Sequence, residues 1–71
     1  MATPKIRLLL AKKLRQLRLK KGLTQETAAE RVGLDIRYYQ RLESKTPNAV
    51  KIDTLEKLAK GFGVPVWKLL Q

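Results

Sequence analysis

Cysteine and histidine are both absent from this chain of 71 residues, and the two absences together remove whole classes of chemistry. Without thiols there is no disulfide framework, and without thiols or imidazoles there is neither a zinc finger nor a Cys/His catalytic pair. Acids are scarce as well: six Asp and Glu stand against sixteen Lys and Arg, for a formal net charge of +10. Those six acids are scattered and no Gly-rich phosphate loop accompanies them, so no catalytic constellation of the usual kind can be assembled. The chain is expected to be no enzyme and to need no metal or other cofactor. The apolar-rich stretch around residues 6–10 falls far short of the ~20 residues that span a bilayer, and no small-residue cleavage site follows it. A cytoplasmic protein without membrane association is expected. Strand-like alternation, internal repeats and low-complexity segments are also missing, which leaves an all-α reading.

What the chain has in abundance is positive charge, unevenly placed. Lys5, Arg7, Lys12, Lys13, Arg15, Arg18, Lys20 and Lys21 supply half of the cations before Gly22, in a stretch without a single acid. Such a balance marks a polyanion binder, although charge alone does not choose among nucleic acid, a membrane surface and an acidic protein. A membrane-surface role for the basic first segment is disfavoured because its apolar stripe is needed to cover the other helices. At this length one domain is expected, able to bury only about 60% of its unfolded surface, which suits a bundle of mostly local helices. Residues 1–4 are expected to form a flexible tail.

Helical periodicity runs through the chain. Ile6, Leu10, Leu14 and Leu17 recur at spacings of four, four and three, predicting a first helix that follows Pro4 and ends at Gly22. Leu8, Leu9 and Leu19 lie off that stripe, either covering neighbouring core or forming an association surface. A second helix is predicted over Gln25–Val32, with Ala28, Ala29 and Val32 inward, and a third from about Ile36 to Ser44. Ser44 to Lys51, containing Pro47-Asn48, reads as a loop. A fourth helix follows, with Ile52, Leu55, Leu58, Ala59 and Phe62 as its apolar face, and Gly63 ends it. Val64-Pro65 then opens a last short helix that offers Val66, Leu69 and Leu70 to the core, which makes a five-helix bundle in all.

The middle of the chain carries the most specific signal. Gly22-Leu23-Thr24-Gln25-Glu26, then Ala29, then Gly33-Leu34-Asp35, then Tyr39-Gln40-Arg41-Leu42-Glu43 describe two short helices joined by a glycine-containing turn. Thr24 and Asp35 stand where N-cap oxygens accept backbone N–H groups. Ala29 is small where two helices cross, and Gly33 stands where the chain must leave a helix through positive φ. Tyr39 and Leu42 face inward, whereas Arg37 and Arg41 share the opposite face. Glu43 and Arg18 both fall on inward faces, and an ion pair between them is expected, because a buried carboxylate without a partner costs several kcal/mol.

With Leu14-Arg15-Gln16-Leu17-Arg18, Leu55-Glu56-Lys57-Leu58-Ala59 and Gly63-Val64 added in order and spacing, the sequence from about Leu10 to Leu70 resembles the helix-turn-helix family of phage repressor and Cro proteins. The resemblance implies a lambda-repressor-like DNA-binding domain, with the helix-turn-helix in helices 2 and 3 and the third helix in the major groove. Carried onto this chain, it implies that Ile36, Arg37, Tyr38, Gln40 and Arg41 face the bases, and that Gln25, with Thr24, Ser44 and Lys45, meets phosphates. Arg37 and Arg41 suit guanine, each good bidentate pair being worth ~1–3 kcal/mol of discrimination. Tyr38 serves either phosphate contact or surface packing. The chain departs from the family pattern at Ala28, where a larger aliphatic is usual, at Tyr39, where Ile or Val is usual, and at Trp67, normally polar.

The resulting expectation is a transcriptional regulator of double-stranded DNA, a repressor or autoregulator binding an inverted repeat as a homodimer. Val66, Trp67 and Leu70 are the candidate interface, the alternative for Trp67 being a ring folded back on its own domain. No small-molecule effector is evident. A restriction–modification controller and an antitoxin-like autoregulator both fit the size. The competing class is a protein-interaction module of the same fold, antitoxin-like or an adaptor to the transcription machinery, with weak nonspecific DNA binding.

Overall fold

The computed structural model describes residues 3–71 as four α-helices and a 3₁₀ helix, with no strand among the described residues. The helices are α1 (Lys5–Lys20), α2 (Gln25–Val32), α3 (Ile36–Leu42) and α4 (Ile52–Phe62), and the 3₁₀ helix covers Val66–Leu70. Met1 and Ala2, half of the expected tail, lie outside the described residues. Pro4 is the N-cap of α1, and its carbonyl accepts the N–H of Arg7 at 3.0 Å.

Each element contributes apolar side chains to one core. Leu10 and Leu14 come from α1, Ala28, Ala29 and Val32 from α2, Tyr39 and Leu42 from α3, Leu58, Ala59 and Phe62 from α4, and Leu69 from the 3₁₀ helix. The two alanines let α2 lie close against α3 and α4, while the 3₁₀ helix packs on α1 and α4 and closes the far side. α2 and α4 come close together at Gly61: a methyl group there would sit 2.5 Å from Val32 Cγ1 and 2.8 Å from Val32 Cα. Arg31 ties the same corner from outside, its Nε–H donating to the Gly61 carbonyl at 2.9 Å.

Four expectations need correction. The fifth helix is a 3₁₀ turn: five residues behind Pro65 are too few to repay α-helix nucleation, and the tighter turn places Leu69 fully inside. Ile52 does not join the apolar face of α4, since it is the first residue of the helix and 80% exposed. Ile6, at the N-terminal edge of the α1 stripe, is likewise 53% exposed, because the core lies under the middle of the helix. Helix α3 also stops at Leu42, two residues earlier than expected, and the Ser44 hydroxyl donates to the Arg41 carbonyl at 2.6 Å. The loop to α4 is held by Pro47, whose ring is buried.

Candidate nucleic-acid interface

The turn between α2 and α3 is built by its local chemistry. Gly33 adopts φ 74° at the C-cap of α2, and the following Leu34 N–H returns to the Ala29 carbonyl at 2.9 Å. Asp35 then caps α3, its carboxylate accepting the N–H groups of Arg37 at 3.0 Å and Tyr38 at 3.3 Å. At the other end of α2, the Thr24 hydroxyl accepts the Thr27 N–H at 3.1 Å, and the Thr27 hydroxyl accepts the Thr24 N–H at 2.9 Å. Thr27 thus completes a capping box. The spacing Thr24-x-x-Thr27 carries the signal for it in the sequence.

These caps fix how α3 presents its faces. Tyr39 and Leu42 are buried, which leaves Arg37, Gln40 and Arg41 exposed on the outer side. Ile36 and Tyr38 are half-buried and pack against the core edge, so the five candidate base readers divide into three free polar side chains and two flanking apolar ones. Among the phosphate candidates Lys45 is exposed and Gln25, first residue of α2, is half-buried. The other two are engaged locally: Thr24 caps α2, and the Ser44 hydroxyl donates to Arg41 while accepting the Thr46 N–H at 3.2 Å.

Behind this surface lies the expected ion pair. Arg18 Nε donates to Glu43 Oε2 at 2.8 Å and to Oε1 at 3.1 Å, Nη2 adds a bond to Oε1 at 3.1 Å, and Nη1 reaches the Leu23 carbonyl at 2.9 Å. The side chains are only 12% and 2% exposed. Hydrogen bonding to Glu43 raises the pKa of the Arg18 guanidinium above its ordinary value. Gln25 joins the pair through Nε2, which donates to Glu43 Oε1 at 3.3 Å. Beside them the Tyr39 hydroxyl is buried and has no hydrogen-bond partner among the described residues. Burial, reinforced by the Glu43 carboxylate, pushes the pKa of that phenol well above its usual range.

Val66 is half-buried, whereas Trp67 is 61% exposed and Leu70 is exposed beside it in the last element. The Trp67 ring is therefore not folded into the core. Leu70 also borders an apolar cavity of about 270 Å³, together with Ile6, Leu10, Val50 and Leu55. No helix among the described residues is long and apolar enough to cross a membrane, and no cluster of acidic side chains among them could hold a metal ion.

Two short capped helices joined by a glycine turn, the second braced from behind and showing two arginines and a glutamine outward, form the arrangement of helix-turn-helix proteins. Comparison with known proteins agrees. The helix-turn-helix family model matches residues 14–66, and the chain belongs to this family, in its phage repressor and Cro branch, whose members are DNA-binding transcriptional regulators. The chain is 40% identical over 58 residues to the cryptic phage CTXphi transcriptional repressor RstR of Vibrio cholerae, covering 82% of this chain but only 51% of that one. It is 41% identical over 69 residues to the control protein C.BamHI of Bacillus amyloliquefaciens, covering 96% of this chain and 84% of that one. The crystal structure of the restriction-modification controller protein C.AhdI from Aeromonas hydrophila superposes with a TM-score of 0.81 at 33% identity, over 89% of this chain and 94% of that one.

Proposed function

We propose that this chain is a sequence-specific regulator of transcription that binds an inverted repeat in double-stranded DNA as a symmetric homodimer. The observation that carries the reading is the outer face of α3, where Arg37, Gln40 and Arg41 stand exposed on a helix whose inner face is fully buried. An α-helix fits the major groove, and a guanidinium matches the O6/N7 pair of guanine. Ile36 flanks this set as a partner for a thymine methyl, and Tyr38 borders it toward the backbone. Gln25 and Lys45 serve as phosphate contacts, Gln25 with the help of the positive end of α2. Thr24 and Ser44 contribute mainly by shaping the backbone around these contacts, since their hydroxyls are already engaged.

The dimer is assembled through the last element, with Trp67 as anchor and Val66 and Leu70 beside it, because large exposed apolar groups close together mark association surfaces. The similarity to C.BamHI and to C.AhdI supports a controller-like autoregulator.

The test is selection of bound duplexes from a random library at physiological salt, followed by anisotropy titration of the winner against scrambled DNA. An enriched inverted repeat bound ~10³-fold above scrambled sequence is expected. Binding without any enriched motif would replace this reading with the protein-interaction module.

A further inference from the structure

We propose that Glu43 is a positioning residue for DNA binding, holding the Gln25 side-chain amide in the one orientation that donates to a phosphate. The proposal rests on the reading of Gln25 as a phosphate contact. Gln25 is the first residue of α2, and its Nε2 lies 3.3 Å from Glu43 Oε1. An ionised carboxylate accepts hydrogen bonds and cannot donate them, so this contact admits only the amide orientation that turns the NH₂ group toward Glu43. One Nε2–H is taken by Glu43, and the other has no partner among the described residues. A phosphate oxygen is likewise only an acceptor. A freely rotating amide would offer it the carbonyl oxygen about as often as the donor, and each wrong orientation sets two acceptors against each other.

The carboxylate can do this because it is itself held on both oxygens. Arg18 grips both of its oxygens from α1, at 2.8 and 3.1 Å, and is itself tied to the Leu23 carbonyl just before α2. Glu43 is also the C-cap residue of α3. One buried group therefore sets the amide at the start of α2 relative to the helix that carries the base readers. Arg18 has a second effect: it neutralises a negative charge that would otherwise oppose the approach of a phosphate backbone.

The experiment uses the selected operator duplex with single uncharged methylphosphonate substitutions scanned along its backbone. In the unaltered protein, neutralising one particular phosphate should lower affinity fivefold or more, and Gln25→Ala should abolish that sensitivity. The double variant Arg18→Met/Glu43→Leu replaces the ion pair with apolar side chains, an exchange that buried pairs often tolerate. Glu43→Asp keeps the charge but withdraws the oxygen by one methylene. Both should reduce the penalty at that phosphate to under twofold and leave the preferred base sequence unchanged. Wild-type sensitivity at that phosphate in both variants would overturn the positioning role. Persistence of the sensitivity in Gln25→Ala would instead show that Gln25 is not the ligand, and the absence of any selected operator would overturn the DNA reading itself.

Discussion

Arg18 and Glu43 stand 25 residues apart in sequence and meet through three hydrogen bonds at positions almost closed to water. Replacing one partner strands the other. Arg18→Ala leaves the Glu43 carboxylate without its charge partner, and a loss of more than about 2 kcal/mol is expected; an unchanged denaturation curve would refute it. Tyr39 presents the opposite case. Its hydroxyl is buried without a partner, so Tyr39→Phe removes a desolvated polar group without opening a cavity. Stability should stay level or rise by up to ~1 kcal/mol; a clear drop in melting temperature would mean that the hydroxyl is bonded after all. On the proposed reading, the exposed cations divide by task. Arg41→Ala should relax base preference at one position of each half-site, whereas Lys45→Ala should weaken binding to every sequence alike and lower the salt slope by ~1. Equal losses on all sequences for both variants would contradict that division.

At the scale of the elements, the packing of α2 on α4 turns on Gly61. Alanine is the better residue in a helix interior by about 1 kcal/mol. Here its methyl would meet Val32 at 2.5 Å from Cγ1 and 2.8 Å from Cα, and backbone cannot step aside as a flexible side chain can. Overpacking of this kind costs roughly 1–3 kcal/mol, so the clash should win over the propensity. Gly61→Ala is expected to lower the melting temperature; a more stable protein would show that α2 and α4 separate at little cost. The distinction between this glycine and those at helix ends is physical: Gly33 supplies a φ of 74°, while Gly61 supplies only the absence of a side chain.

For the whole molecule, charge and association decide behaviour. A net charge of +10 gives long-range attraction to any polyanion, and an affinity for DNA that falls steeply with added salt follows from counterion release. In the proposed dimer, by contrast, half-site spacing depends on how two copies join. Trp67→Glu places a charge at the exposed ring of the last element and should yield a monomer by sedimentation that still unfolds cooperatively. An unaltered sedimentation profile would move the interface elsewhere, and loss of cooperative unfolding would assign Trp67 to the fold instead.

The local order of this protein is written in its sequence. The start and stop of α2 and the start of α3 follow from Thr24, Gly33 and Asp35, because a cap or a positive φ depends on a few neighbouring atoms. The exposure of Arg37 and Arg41 follows equally from helical period, once Tyr39 and Leu42 face inward. Even the Arg18–Glu43 pair was legible, because both residues fall on inward faces and each needs a partner of opposite charge. Other features depend on where distant segments come to rest. Nothing in local pattern says that Ile52 projects into solvent, that Pro47 is buried, that Gly61 admits Val32, or that Gln25 donates to Glu43. The apolar stripe of a helix is defined by period alone, but how far along the helix the core extends is set by the neighbours that cover it. Burial and hydrogen-bond partners across 18 or more residues are properties of the packed whole, and only the tertiary structure decides them.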